Sequence, residues 1–190
     1  MSAANQSATN QPITLSRETD VVEIPSGINN KLPAGTVVRI MQNLGSTYTV
    51  FSDYGLMYRI DAKDRDVLGI TEEPVEASAA TQQGEPFSEK MVWDQLKTVY
   101  DPEIPVNIAD LGLIYSCQIK DLDQGAHRID IEMSLTAPGC GMGNVLKSDV
   151  ETKLAKLPTV REVHVEVVLE PAWGPARMSE AARLQLGLDL

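Results

Sequence analysis

The chain has 190 residues, 43% of them hydrophobic, enough for an ordinary core in one or two domains. Sixteen basic against 27 acidic residues give a net charge of -11, and no basic patch alternates with aromatics, which argues against a nucleic-acid partner. Two cysteines cannot make a disulfide framework, and residues 1–11 lack the apolar run of a signal peptide or membrane span. The expectation is a cytoplasmic protein that does not engage a membrane.

Residues 1–12 read as a disordered tail, being Ser, Ala, Asn, Gln and Thr without periodicity. From 13 to 70, short β-like runs alternate with turn signals. Val21 to Ile24, Thr36 to Met41, Thr47 to Phe51 and Met57 to Ile60 are separated by Pro25-Ser26-Gly27, Asn43-Leu44-Gly45-Ser46 and Ser52-Asp53-Tyr54-Gly55. Strands this short and closely spaced predict a small all-β module, a sheet or barrel without a catalytic grouping. Residues 71–86 carry two prolines and no sustained apolar content, as a linker does.

The remainder, 87–190, predicts an α/β (α+β) domain of order α-β-β-α-β-α around a three-stranded mixed sheet. Ser88 reads as the N-cap of a helix with Met91, Val92, Leu96, Val99 and Tyr100 on one face, ended by Asp101-Pro102. Leu113, Tyr115, Cys117 and Ile119 alternate with polar or solvent-side positions, and Asp121 to Gly125 turns the chain back into Arg128 to Leu135. Cys117 falls on the apolar parity, as a small core residue. Leu146, Val150, Leu154 and Leu157 mark a second helix, and Val163 to Leu169 a third strand, parallel to the second because a helix crosses between them. His127 and His164 fall at a strand start and on a polar face. Ser179 to Leu186 is a last helix stopped by Gly187.

Chemistry concentrates between the second strand and the second helix, in Thr136-Ala137-Pro138-Gly139-Cys140-Gly141-Met142-Gly143. Glycines and a proline allow a sharp turn and close backbone approach, and a cysteine at a helix start faces free N–H groups that favour the thiolate. Such a residue suits a nucleophile or a metal ligand; the plain alternative is a cysteine packed in a small-residue turn. Asp101 and Glu103 lie two residues apart in a proline-stiffened segment, so both carboxylates are expected on one side of an extended chain, as metal ligands or an acid/base pair. The alternative is a helix-ending Asp and a solvated Glu. Asp110 is placed to cap a turn, with Gly112 relieving a crowded backbone. Trp173, flanked by prolines, reads as a lid or as core closure.

In combination, Asp101-Pro102-Glu103-Ile104-Pro105 through Asp110-Leu111-Gly112-Leu113-Ile114-Tyr115, then Leu135-Thr136-Ala137-Pro138-Gly139-Cys140, then Glu170-Pro171-Ala172-Trp173 and Met178 to Arg183 resemble the metal–sulfur cluster biosynthetic domain family. The resemblance spans residues 88–187. Ile24-Pro25-Ser26-Gly27, Leu32 to Thr36 and Leu44-Gly45 look like an extra module carried by a member of that family. It implies a cytosolic, non-enzymatic accessory or carrier factor for iron–sulfur cluster assembly. On that reading Cys140 is the principal metal ligand, Asp101 and Glu103 are auxiliary, and Thr136, Pro138, Gly139, Asp110 and Trp173 give support. Many relatives carry proline after this cysteine, where this chain has Gly141.

The cofactor implied is iron or an iron–sulfur cluster, held transiently, and the partners are the assembly machinery and apo client proteins. One exposed thiolate per chain cannot complete a thiolate-ligated cluster, so a homodimer sharing two Cys140 thiolates is expected. Two other readings stay open. A metal-free adaptor would recruit clients through its surface, and a thiol enzyme would use Cys140 as nucleophile, although neither His127 nor His164 lies in a loop facing it.

Overall fold

Turn chemistry cuts the first part of the chain into six strands: β1 (Ile13–Thr14), β2 (Thr19–Ile24), β3 (Asn29–Leu32), β4 (Val37–Leu44), β5 (Thr47–Ser52) and β6 (Met57–Asp61). The structure is a computed structural model and describes residues 11–71, 86–137 and 141–188. The chain divides into two units, residues 1–75 and 76–190.

In the first unit the strands form one antiparallel sheet in the order β1-β4-β5-β6-β2-β3. Inward positions repeat at the strand period, so Val38 and Ile40, Tyr48 and Val50, and Tyr58 and Ile60 share a core with Leu15 and Val21. A 3₁₀ segment, Ala62–Leu68, adds Val67 and Leu68 to it. β4 runs past the expected stop at Met41 to Leu44, because a bulge between Ile40 and Gln42 absorbs the irregularity without ending the pairing.

The second unit has the order α1 (Glu89–Leu96), β7 (Ile114–Asp121), β8 (His127–Met133), α2 (Gly143–Leu154), β9 (Val160–Val167) and α3 (Glu180–Gln185). Its sheet order is β7-β8-β9, antiparallel for the first pair and parallel for the second, which is the mixed sheet read from the sequence. Met91, Val92 and Leu96 of α1, Leu146, Val150 and Leu154 of α2, and Ile129, Ile131, Met133 and Val165 of the sheet form one buried cluster. Burial of this apolar face stabilises the unit by about 25 cal/mol for each Å² removed from water. The side chain of Ser179 caps α3 by accepting the Ala182 N–H at 3.2 Å, and Gly187 ends it at φ +70°.

Boundaries depart from the sequence reading in β8, which ends at Met133 and not Leu135, and in α1 and β9. α1 stops at Leu96, short of Asp101-Pro102: the Thr98 hydroxyl donates to the Gln95 carbonyl at 2.7 Å, and the chain leaves the helix so that Tyr100 can bridge to Asn107. Val99, Val106 and Ile108 thereby enter the core from irregular backbone. β9 ends at Val167, where the Val168 N–H closes the ladder on Met133, the last residue of β8. Leu169, expected on the buried face, is consequently 47% exposed.

Candidate functional site

The acidic segment after α1 and the end of β8 meet at Asp101, which is 4% exposed. Its Oδ1 accepts the backbone N–H groups of Glu103 and Ile104, both at 2.9 Å. Its Oδ2 lies 3.5 Å from the Thr136 hydroxyl, which donates to it. Burial raises the Asp101 pKa above the ordinary carboxylate value, and the hydrogen bonds from Ile104, Glu103 and Thr136 oppose that rise without cancelling it. Bending around Asp101 turns Glu103 out to solvent. The two carboxylates therefore do not project to one side, as an extended chain would have them. One is an internal loop cap and the other a surface group.

Of the site residues expected in the cysteine loop, Thr136 is described, while Pro138, Gly139 and Cys140 lie outside the described residues. Its flanks are well anchored. Before the loop, Ser134 is buried and its N–H donates to the Leu113 carbonyl at 2.8 Å. After it, a Cβ on Gly143 would come within 2.9 Å of Leu135, so glycine lets the first turn of α2 lie against the strand end. Met142 precedes α2 and supplies no side-chain cap to its first N–H groups.

Asp110 sits in the turn before β7, where Asn107 caps the chain: Asn107 Oδ1 accepts the Asp110 N–H at 2.8 Å and its Nδ2 donates to Asp110 Oδ2 at 2.6 Å. The segment after β9 straps this turn down. Trp173 Nε1 donates to the Leu111 carbonyl at 2.8 Å, Tyr115 donates its hydroxyl to the Pro171 carbonyl at 2.8 Å, and the Ser179 N–H donates to the Asp110 carbonyl at 2.8 Å. The Arg177 guanidinium lies 3.8 Å over the Tyr115 ring. Gly112, at φ +69°, has the Arg177 carbonyl where a Cβ would be. Asp110 and Trp173 are thus brought together as braces of one turn, and Trp173 packs against the core. Asn107, Tyr115, Arg177 and Ser179 were not read as site residues from the sequence. The Asn107-x-x-Asp110 spacing was the one available signal, since a side-chain cap at i, i+3 is local.

Among the described residues, no group of three or more His, Cys, Asp or Glu side chains is arranged to hold a metal ion. Cys117 is half-buried on β7, and burial, with a smaller push from the Glu89 charge, raises its thiol pKa to about 11. His127 stacks on Phe87 at 4.0 Å and meets Thr159 Oγ1 at 2.8 Å through Nδ1, while His164 is exposed on β9. Among the described residues no helix is long and apolar enough to cross a membrane.

Comparison with known proteins bears on the same stretch. A family described as "Iron-sulfur cluster assembly protein" matches residues 89–167. A Porphyromonas gingivalis protein named Fe-S protein maturation auxiliary factor is 42% identical over 101 residues, 53% of this chain and 91% of that protein. The Staphylococcus aureus Fe-S protein maturation auxiliary factor SufT is 37% identical over 91 residues, 48% of this chain and 99% of that protein. Among solved structures, a Bacillus anthracis domain of unknown function, DUF59, is 36% identical with a TM-score of 0.46, covering 53% of this chain and 92% of that one. With the acidic turn and the strand-to-helix passage inside the matched stretch, and two relatives aligned over nine-tenths or more of their own length, the chain belongs to the iron–sulfur cluster assembly protein family.

Proposed function

We propose that the chain is an accessory factor in iron–sulfur protein maturation that accepts iron or a cluster at Cys140 and passes it to apo client proteins. The observation that carries the reading is the buried Asp101 carboxylate. It bends the acidic segment through two backbone amides and holds Thr136, four residues before Cys140, at the end of β8. Asp101 is therefore assigned to positioning and the exposed Glu103 to a rim ligand, with Pro138 and Gly139 shaping the loop. Cys117 is a poor second thiolate because its pKa is about 11. Each chain then offers one soft ligand, and the remaining positions on the metal fall to the assembly machinery, the client or small thiols. Incomplete ligation of this kind favours transfer over storage. The working unit is a homodimer in the cytoplasm.

The test is anaerobic reconstitution with ferrous iron and sulfide, read by visible absorbance and metal analysis, followed by transfer to an apo-ferredoxin. Wild type should bind and hand on iron, Cys140→Ser should lose both, and Glu103→Gln should bind more weakly. Equal iron in wild type and Cys140→Ser would overturn the carrier reading. The alternative reading is a metal-free adaptor that recruits clients through its surface. Client binding that survives Cys140→Ser without any iron uptake by wild type would select it.

A further inference from the structure

Residues of α1, α2 and α3 all join the buried cluster on one face of the β7-β8-β9 sheet, with Ile129, Ile131, Met133 and Val165. The alternate residues stand on the other face, in rows set by the strand register. Lys120, Arg128 and Glu162 form one row, Gln118, Asp130 and His164 the next, and Ser116, Glu132 and Glu166 the row nearest the end of β8. All nine are polar, and a depression of about 180 Å³ opens on this face.

One half of the face neutralises itself. Lys120 and Arg128 both reach Asp130 at 2.7 Å, and Arg128 lies 3.6 Å from Glu162. The other half does not. The side chains of Ser116, Gln118, Glu132, His164 and Glu166 line the depression, and among the described residues they make no hydrogen bond or ion pair. Glu132 and Glu166 are both exposed and stand directly opposite each other on neighbouring strands, about 4.8 Å apart in the pairing direction. Like charges so placed repel and weaken the pairing, and no cation of the described chain offsets them.

We propose that this half of the sheet face docks an arginine-bearing segment of an apo client protein, with the guanidinium seated between Glu132 and Glu166. Charge complementarity selects the occupant. A second copy carries the same net charge of -11 and a nucleic acid is an anion, so both are repelled. A planar guanidinium presents N–H donors along two edges, enough to meet a carboxylate on each of two strands, whereas an ammonium meets them as a point charge. The Gln118 side-chain carbonyl and the Ser116 hydroxyl add acceptors beside them. An exposed polar seat of this kind gives a weak, quickly reversed contact, as a factor that must release its clients requires. The inference rests on the accessory-factor reading only for the identity of the partner, and it places no demand on the metal.

The experiment is fluorescence anisotropy of the metal-free, reduced full chain at low ionic strength. The probes are a fluorescein-labelled peptide of alternating arginine and glycine and its lysine counterpart. Wild type should bind the arginine peptide about twofold or more tighter than the lysine peptide. Glu132→Gln with Glu166→Gln should weaken arginine binding about fivefold, while Glu18→Gln with Asp20→Asn, which removes the same charge from the first unit, should change it less than about twofold. Glu132→Gln alone should raise the urea midpoint of the second unit by about 0.3 M, because it relieves the repulsion. Absent binding, equal loss in the two double variants, equal affinity for the two peptides, or a lowered midpoint in Glu132→Gln would each overturn the docking face. Cys140→Ser should bind the arginine peptide as wild type does. Peptide binding lost in that variant would also overturn the docking face, whereas wild type that takes up no iron overturns the carrier reading and leaves the docking face standing.

Discussion

Replacing Asp101 with alanine leaves the amides of Glu103 and Ile104 without the acceptor they share. Each lost bond to a charged group costs about 1.5 kcal/mol, and the 3.5 Å contact with Thr136 adds little. Removing a carboxylate that is expensive to bury returns about 1 kcal/mol, for a net loss of about 2 kcal/mol. Asparagine keeps an oxygen at the Oδ1 position and sheds the buried charge, so it should cost under about 1 kcal/mol. Both tryptophans, Trp93 and Trp173, belong to the second unit, so fluorescence during a urea titration follows that unit alone. With a slope of about 1.2 kcal/mol/M, Asp101→Ala should lower the midpoint by about 1.7 M. The pH dependence supplies a sign. Because burial raises the Asp101 pKa, the folded state holds this proton more tightly than the unfolded chain does. Its contribution to stability is therefore greatest in acid and is lost as pH rises through the folded value. Wild type should gain on Asp101→Asn as pH falls from neutral. A midpoint change under about 0.4 M for alanine, or a flat difference from asparagine, would refute the reasoning.

With a thiol pKa of about 11, Cys117 is about one part in a thousand thiolate at pH 8, so Cys140 should dominate labelling by a disulfide reagent in the metal-free protein. Equal rates at the two cysteines would contradict this. Gly112→Ala must displace the Arg177 carbonyl as well as hold φ at +69°, and should cost about 3 kcal/mol or more in the same urea assay. Gly187→Ala, at φ +70° in open space, should cost about 1 kcal/mol, and equal losses at the two sites would show that the strap does not constrain Gly112. Limited proteolysis should cut within 71–86 and release fragments that remain folded, with first cuts inside β4 or α2 as the contrary result.

The regular parts of the second unit were legible because their cause is local and periodic. Ile129, Ile131 and Met133 alternate because one face of β8 is buried, and Leu146, Val150 and Leu154 recur at helical spacing because α2 buries one stripe. The end of α1 was not legible, since it is set by the Tyr100 to Asn107 bridge, a pairing that competes with helix only after the chain has turned at Asp101. The direction of Glu103 was misread for a related reason. Spacing locates two carboxylates but is blind to one of them accepting amides from the residues just after it. The order β1-β4-β5-β6-β2-β3 is non-local, so turn signals found its strands and not their neighbours. For the site, spacing left the acidic turn open between a ligand pair and a helix-ending Asp with a solvated Glu, and could not show that Asp101 accepts the amides of Glu103 and Ile104. The strap from 170 to 179 reaches partners some sixty residues away and left no mark on local pattern.

That strap grips the turn before β7 by its carbonyls. Trp173 reaches the main chain of Leu111, Arg177 that of Gly112 and the Ser179 amide that of Asp110. A carbonyl is present whatever side chain a residue carries, so drift at Asp110 or Leu111 leaves every acceptor in place. The two side-chain donors have no such freedom, because an indole N–H or a guanidinium fork is not reproduced by other residue types. Mutational tolerance across this contact is therefore lopsided. A deep mutational scan should find the strap sensitive at Trp173 and Arg177, and position 111 answering only to the size and polarity its buried side chain demands.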